Sequence, residues 1–165
     1  MAYDYTDLQQ GDQIAYTEDH EDLKKSVRKF VAEVIRPASI ELDKMSPDDV
    51  VKKDSPYWQC MRQMHELGYH TIFIPEEYGG IGLDALGLHI FFEEMAFGSI
   101  GLAVACGVDI FPTFFATMIL PEFPELEDSI LRPYVADKDC SMLGCWAITE
   151  PEHGSAIERP KPAEL

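Results

Sequence analysis

The sequence predicts a mainly α fold, a helical bundle with a terminal strand. Three observations point that way. Apolar residues recur at helical spacing, as in Leu23, Val27, Phe30, Val31 and Val34. Start and stop residues stand where helices need them, most clearly Ser55-Pro56 before one helix and Gly68 after it. The character changes only after Cys140, where Ser141 to Ile148 reads as a strand.

Met1 to Tyr16 is polar and aperiodic, which fits a surface arm. Thr17 can cap the first helix, with Glu18 and Asp19 placed against the positive end of its dipole. Pro37 is expected to interrupt it. Ile40 to Asp54 is acidic and weakly periodic, with a turn at Ser46-Pro47. The second helix is capped by Ser55 and turns Tyr57, Met61 and Met64 inward, with Leu67 beside them. Thr71 to Ile74 is a short β-like run broken by Pro75. A glycine-rich loop, P-E-E-Y-G-G-I-G-L-D, follows from Pro75 to the cap residue Asp84.

The next helix places Leu86, Ile90, Phe91 and Phe97 on its apolar side and Glu93 and Glu94 outward. Ser99 caps a further helix closed by Pro121 and Pro124. Glu125 to Leu131 is a short amphipathic helix through Leu126 and Ile130, stopped before Pro133. T-E-P-E-H-G-S forms a turn after the strand, and the last ten residues form no element.

With 165 residues the chain can bury one sizeable core, and 46% hydrophobic content fits a folded protein. Its net charge of −17 disfavours nucleic-acid backbones and anionic lipid surfaces as partners. Cys60, Cys106, Cys140 and Cys145 show neither zinc-ligand nor C-x-x-C spacing, so reduced thiols are expected. The five histidines form no metal constellation. The acidic segment Met1 to Asp12 lacks an apolar signal core and an Arg-rich transit pattern, so a cytoplasmic location is expected.

Two signals need weighing. Ile100 to Leu120 is apolar enough in length to span a bilayer. Asp109 near its middle, Pro112 and acidic flanks favour instead a buried helix of a bundle. Gly80-x-Gly82-x-x-Ala85 imitates a dinucleotide fingerprint, but Pro75 to Gly79 separates it from the β-like run. A structural loop, whose glycines permit positive φ, is the better reading.

Three further segments, in order and at matching spacing, resemble the acyl-CoA dehydrogenase family. They are L-G-Y-H-T-I-F-I-P-E-E-Y-G-G-I-G-L (Leu67 to Leu83), F-E-E-M-A (Phe92 to Ala96) and G-C-W-A-I-T-E-P-E-H-G-S (Gly144 to Ser155). The last is similar to the family's flavin-contacting T-E-P-x-x-G-S. The resemblance implies an N-terminal arm (1–16), an N-terminal helical domain (17–139) and the start of a middle β domain (140–165). It implies FAD as cofactor, an acyl-CoA substrate, an acceptor of the electron-transfer-flavoprotein kind, and a homo-oligomer or complementary chain.

Carried over residue by residue, Trp146, Ala147, Ile148 and Thr149 would lie along the isoalloxazine, with Thr149 near N5. Ser155 would face both the flavin phosphates and acyl-CoA. Thr149 and Ser155 are also ordinary turn formers. Cys106, Gly107, Asp109 and Ile110 would lie near the acyl pocket. Asp109 would there need a hydrogen-bonded partner or a raised pKa; on the residues alone, an exposed ridge or subunit boundary serves it equally well.

Ala156 stands where the family has Asp. A second flavin motif and the C-terminal carboxylate base have no counterpart, so no catalytic residue is expected here and the chain reads as an inactive fragment. Two alternatives remain open: a flavin monooxygenase of the same fold, and a non-catalytic helical interaction domain.

Overall fold

The computed structural model describes residues 16–147 and Thr149; the expected flavin contacts Ile148 and Ser155 lie outside the described residues. Its first helix, α1, runs Glu18–Phe30 and is extended through a π-helical turn, Val31–Ile35, into α2, Arg36–Leu42. The short α3 (Pro47–Val50) and α4 (Pro56–Glu66) follow. Two 3₁₀ turns, Tyr69–Thr71 and Glu76–Tyr78, lead to α5 (Ala85–Gly98) and the long α6 (Ile100–Ile119). A second π-turn, Glu127–Leu131, runs into α7, Arg132–Ala136.

α5 packs against α1 on one side and α6 on another, while α4 rests on α2. Val27, Phe30, Ile35, Met61, Met64, Ile72, Phe91, Met95, Cys106 and Ile110 share one core. Each large side chain so buried contributes roughly 1.5–3 kcal/mol before entropy is counted. Edge-to-face contacts run through it from Phe30 to Tyr69 and on to Phe91, with ring centroids 5.4 and 5.3 Å apart.

The entrance to this bundle is tied by one histidine. The Thr17 hydroxyl accepts from the His20 backbone N–H, and the Thr17 N–H donates to His20 Nδ1. Nδ1 is therefore an acceptor, and Nε2–H donates to Asp84 at 3.0 Å. Asp84 in turn caps α5 by accepting from Gly87 N–H at 2.7 Å. The first turns of α1 and α5 are thus joined.

Several sequence expectations are corrected. Pro37 and Pro133 do not stop their helices. Each follows a π-turn, with Arg36 N–H reaching back to the Val31 carbonyl and Arg132 N–H to the Glu127 carbonyl. The wider turn accommodates a proline that has no N–H and needs clearance from the preceding turn. Ser46-Pro47 opens the short α3. Ser55 sits at the cap position of α4, but its hydroxyl donates to the Val50 carbonyl and caps nothing.

On α4, Cys60 and His65 are buried and Leu67 is exposed. On α5, Glu94 faces inward while Phe97 is 81% exposed. Thr71 to Ile74 is no strand. It follows a 3₁₀ turn and holds the returning glycine loop by two bonds, Ile81 N–H to Thr71 O and Leu83 N–H to Ile72 O. The loop is built on itself: a Cβ on Gly80 would lie 2.0 Å from the Ile74 carbonyl oxygen, and Gly79 and Gly82 take positive φ.

The terminal strand is likewise absent among the described residues. Residues 141–147 join no backbone ladder, and a strand exists only with a hydrogen-bonded neighbour. α6 is amphipathic in position but not in composition. Leu102, Ala103, Cys106, Asp109, Ile110, Thr113 and Ala116 are buried. Its other side leaves Ile100, Val104, Phe111, Phe115 and Met118 exposed. It is a wall of the bundle and not its centre.

Candidate functional site

The inner face of α6 carries Asp109, only 2% exposed, which removes the exposed-ridge reading. Burial of an unpaired carboxylate would be very costly, and the chain supplies partners from both directions. Asp109 Oδ2 lies 2.9 Å from His65 Nε2 on α4, and Oδ1 accepts from the Gly144 N–H at 2.7 Å. The other imidazole nitrogen, His65 Nδ1, lies 3.3 Å from the Asp137 backbone oxygen and 3.4 Å from its Oδ2. Burial drives the His65 pKa down, yet the Asp109 carboxylate and the Cys140 side chain outweigh it and hold the ring up at about 10.

Asp137 is itself surrounded by donors. Its Oδ1 accepts from the N–H groups of Asp139 and Ser141 and from the Ser141 hydroxyl; Oδ2 accepts from Met142 N–H at 2.8 Å. Burial raises its pKa, but the Met142 and Ser141 donors prevail and leave it below the ordinary carboxylate value. The wrap takes Cys140 to φ 55°, a left-handed conformation costing a non-glycine residue about 1–2 kcal/mol. The hydrogen bonds on either side hold it there.

His70 stacks on His65 with centroids 4.1 Å apart and planes 4° from parallel. Its Nε2–H donates to the Tyr134 carbonyl at 3.0 Å. Burial first, then repulsion from His65, pushes its pKa down to about 4. Tyr134 closes the cluster, its hydroxyl donating to the Asp109 backbone oxygen, and burial raises its pKa.

These bonds set the course of the segment after α7. Gly144 crosses α6 so closely that a Cβ there would stand 2.0 Å from the Asp109 carbonyl oxygen and 2.8 Å from Pro112 Cδ. The segment then delivers Trp146 onto the outer face of α6. Its ring meets Phe115 at 4.7 Å and Phe111 at 5.6 Å between centroids. All three rings are about two-fifths exposed, and Ala147 and Thr149 are exposed too. The result is an aromatic shelf whose rings are inclined at 47° to 65° to one another and stand partly open to solvent.

The sequence-predicted residues therefore divide into two groups. Trp146 lies at the shelf, and Ala147 and Thr149 follow it in the chain as exposed residues. Cys106 and Ile110 are wholly buried, and Gly107 lies under Phe92. Burial pushes the Cys106 thiol up, so it stays protonated. Asp109 faces inward, committed to His65 and Gly144, away from the shelf. His65, His70 and Asp137 escaped the sequence reading, as did the contact of Gly144 with Asp109. Only His65 left a signal there, by following Met61 and Met64 on the inward stripe of α4.

Residues 17–120 match the model of the acyl-CoA dehydrogenase N-terminal domain. A glutaryl-CoA dehydrogenase of Desulfococcus multivorans is 32% identical over 82% of this chain and 32% of its own length. A 3-(aryl)acrylate reductase of Clostridium sporogenes is 30% identical over 85% of this chain and 34% of its own. The mitochondrial short-chain specific acyl-CoA dehydrogenase of Rattus norvegicus is 29% identical over 84% and 31%. The chain thus spans about a third of the length of the curated relatives it matches.

Among solved structures, a chain from an electron transferring flavoprotein study of Acidaminococcus fermentans superposes with TM-score 0.65 at 24% identity. That match covers 87% of this chain and 34% of that one. A chain of the ChsE4-ChsE5 complex from Mycobacterium tuberculosis gives 0.54 at 23%, covering 77% and 30%. At these identities both likenesses speak to the fold alone. The family-model match over most of the helical region settles the kinship: the chain belongs to the acyl-CoA dehydrogenase family.

Proposed function

We propose that this chain is the N-terminal part of an FAD-dependent acyl-CoA dehydrogenase, acting on the α,β C–C bond of an acyl thioester. In this reading residues 17–139 are the helical domain and 140–165 open the β domain that follows. The observation that carries it is the aromatic shelf of Trp146, Phe111 and Phe115, which Thr149 follows in the chain as an exposed residue. The shelf suits a flavin because it is aromatic, apolar and partly open to solvent. FAD, when bound, supplies the hydride acceptor.

The chain's own residues would do three things. Trp146 covers one face of the ring and keeps water from it. Thr149 donates a hydrogen bond where negative charge grows on the reduced ring, a contact whose worth rises as reduction proceeds. The bare outer face of α6 supplies an apolar wall for the acyl part. Cys106 and Ile110 could touch substrate only after the core opened, so an acyl contact falls better to Val104, Val108 and Phe111 on the same helix. The Clostridium relative favours a second reading, reduction of an acrylate by the same kind of protein.

The test uses the gene product read to its natural end. Thr149→Ala should slow acyl-CoA-dependent flavin bleaching in stopped flow by roughly 10- to 100-fold, as expected for one charge-assisted hydrogen bond of about 1.5–3 kcal/mol. A wild-type protein without FAD absorbance, or one bleached by no acyl-CoA, overturns the reading. Faster reaction of reduced protein with an arylacrylate selects the reductase direction.

A further inference from the structure

We propose that His65 is a positioning residue: as an imidazolium held between Asp109 and Asp137, it clamps residues 139–144 to the helical domain and so places Trp146 and Thr149. The inference rests on the flavin reading only for the purpose of that placement; the clamp stands on the geometry alone.

The protonation state follows from the partners. Nε2 faces a carboxylate oxygen at 2.9 Å; Nδ1 faces a carbonyl oxygen at 3.3 Å and a carboxylate oxygen at 3.4 Å. The carbonyl oxygen can only accept, which fixes a proton on Nδ1, and the Nε2···Oδ2 contact is short enough to hold a second proton between ring and carboxylate. Asp109 takes the Gly144 N–H, and Asp137 takes three N–H groups and a hydroxyl. The Asp109 and Cys140 side chains favour keeping that second proton on the ring, which makes His65 a donor at both nitrogens. The ring has no solvent exposure, so neither aspartate can exchange it for water.

The clamp is also directional. Asp109 uses one oxygen on His65 and the other on Gly144, and Asp137 faces His65 while both its oxygens accept from the segment after α7. Neutralising the ring would leave two buried carboxylates repelling each other, and both would be free to turn from the segment. The groups facing the ring are Asp109 from α6, His70 from the first 3₁₀ turn, Tyr134 from α7, and Asp137 and Cys140 from the segment itself. Lys138 is near enough to act on His70. His70 does not compete for the proton, because burial and its charged neighbour keep it neutral.

The experiment follows Trp146 in this chain without any flavin. Trp58→Phe makes Trp146 the sole tryptophan. In that background His65→Gln should retain the far-UV helical spectrum, shift Trp146 emission to the red and raise iodide quenching by about twofold, from two-fifths exposed toward fully exposed. With His65 present, emission should be constant from about pH 7 to 9 and change as pH rises through about 10; His65→Gln should lack that step. In parallel, nitrogen-15 imidazole spectra at pH 8 should show His65 protonated at both nitrogens and His70 at one. Unchanged Trp146 emission and quenching in a folded His65→Gln overturns the proposal. If His65→Gln does not fold, the imidazole spectrum decides, and a singly protonated His65 at pH 8 overturns it. An intact clamp in a protein that reduces no flavin would leave this inference standing and remove the proposed function.

Discussion

The Arg28–Glu94 pair and the His65 site both bury charge in this bundle, and they are built on opposite plans. Glu94 on α5 is nearly closed off from water, but its partner Arg28 keeps a side chain 64% exposed. The contact is a bidentate fork, Nε to Oε2 at 2.9 Å and Nη2 to Oε1. Only one of the two charges has been dehydrated. The His65 site has no wet partner: the ring and both its aspartates are buried. Its surplus negative charge is balanced by backbone N–H groups drawn from residues 139–144. An open pair can be weakened without moving the chain, whereas a closed one has enlisted the chain as its solvent.

The sharpest way to break the difference is Asp109→Ala. It strips the ring of one carboxylate and strands the Gly144 N–H. We expect a loss of about 3–5 kcal/mol in urea unfolding, the scale for disrupting a buried pair from one side. A loss near 1 kcal/mol would place the site with the open pairs.

The pH dependence sharpens the comparison next. The folded-state pKa of His65, about 10, lies above the 6.5 of a free histidine. Between those values the folded chain holds a proton that the unfolded chain has released. Its contribution is complete below about pH 6.5, falls with rising pH and is gone above about 10. Asp137 works in the other direction: with its pKa lowered, its contribution is present above about pH 4 and lost as pH falls through the folded value. His70, lowered to about 4, favours the folded state above pH 6.5 and loses that advantage on acidification toward 4. Melting temperature across pH 4 to 10 should fall on the alkaline side, and Asp109→Ala should flatten that fall. The smallest effect is expected at the open pair, where Glu94→Gln should cost about 1 kcal/mol by the same unfolding assay, because Arg28 returns to water.

The sequence conveyed the parts that depend on neighbours in the chain. Thr17, Asp84 and Ser99 announce helix starts through side chains that reach three residues ahead. Met61 and Met64 announce a buried stripe. Glu94 was misplaced although its spacing held the answer, since it stands four residues after Ile90 and three after Phe91, on the same face. The need for a partner at Asp109 was legible too, but that partner lies 44 residues away on α4, and no local pattern selects it. The strand at 141–147 was misread for a related reason: β-like composition describes what a segment can pair with, while these residues are held by two carboxylates. Trp146 and Thr149 were singled out only through the family motif.

The two π-turns have a consequence for chain length. Each places one more residue in a turn than an α-helix holds, and one residue corresponds to about 100° of rotation. The stretches on either side of Val31–Ile35 are therefore two helical registers joined without a break, while Glu127–Leu131 leads from a turn into α7. Removing a single residue from either turn would restore an ordinary α-helix and rotate everything beyond it. It would also bring Pro37 or Pro133 against a carbonyl four residues back, in a helix interior where proline costs about 3 kcal/mol. The arginine-proline pairs thus act as ratchets: the extra residue can be carried easily and given up only with its proline.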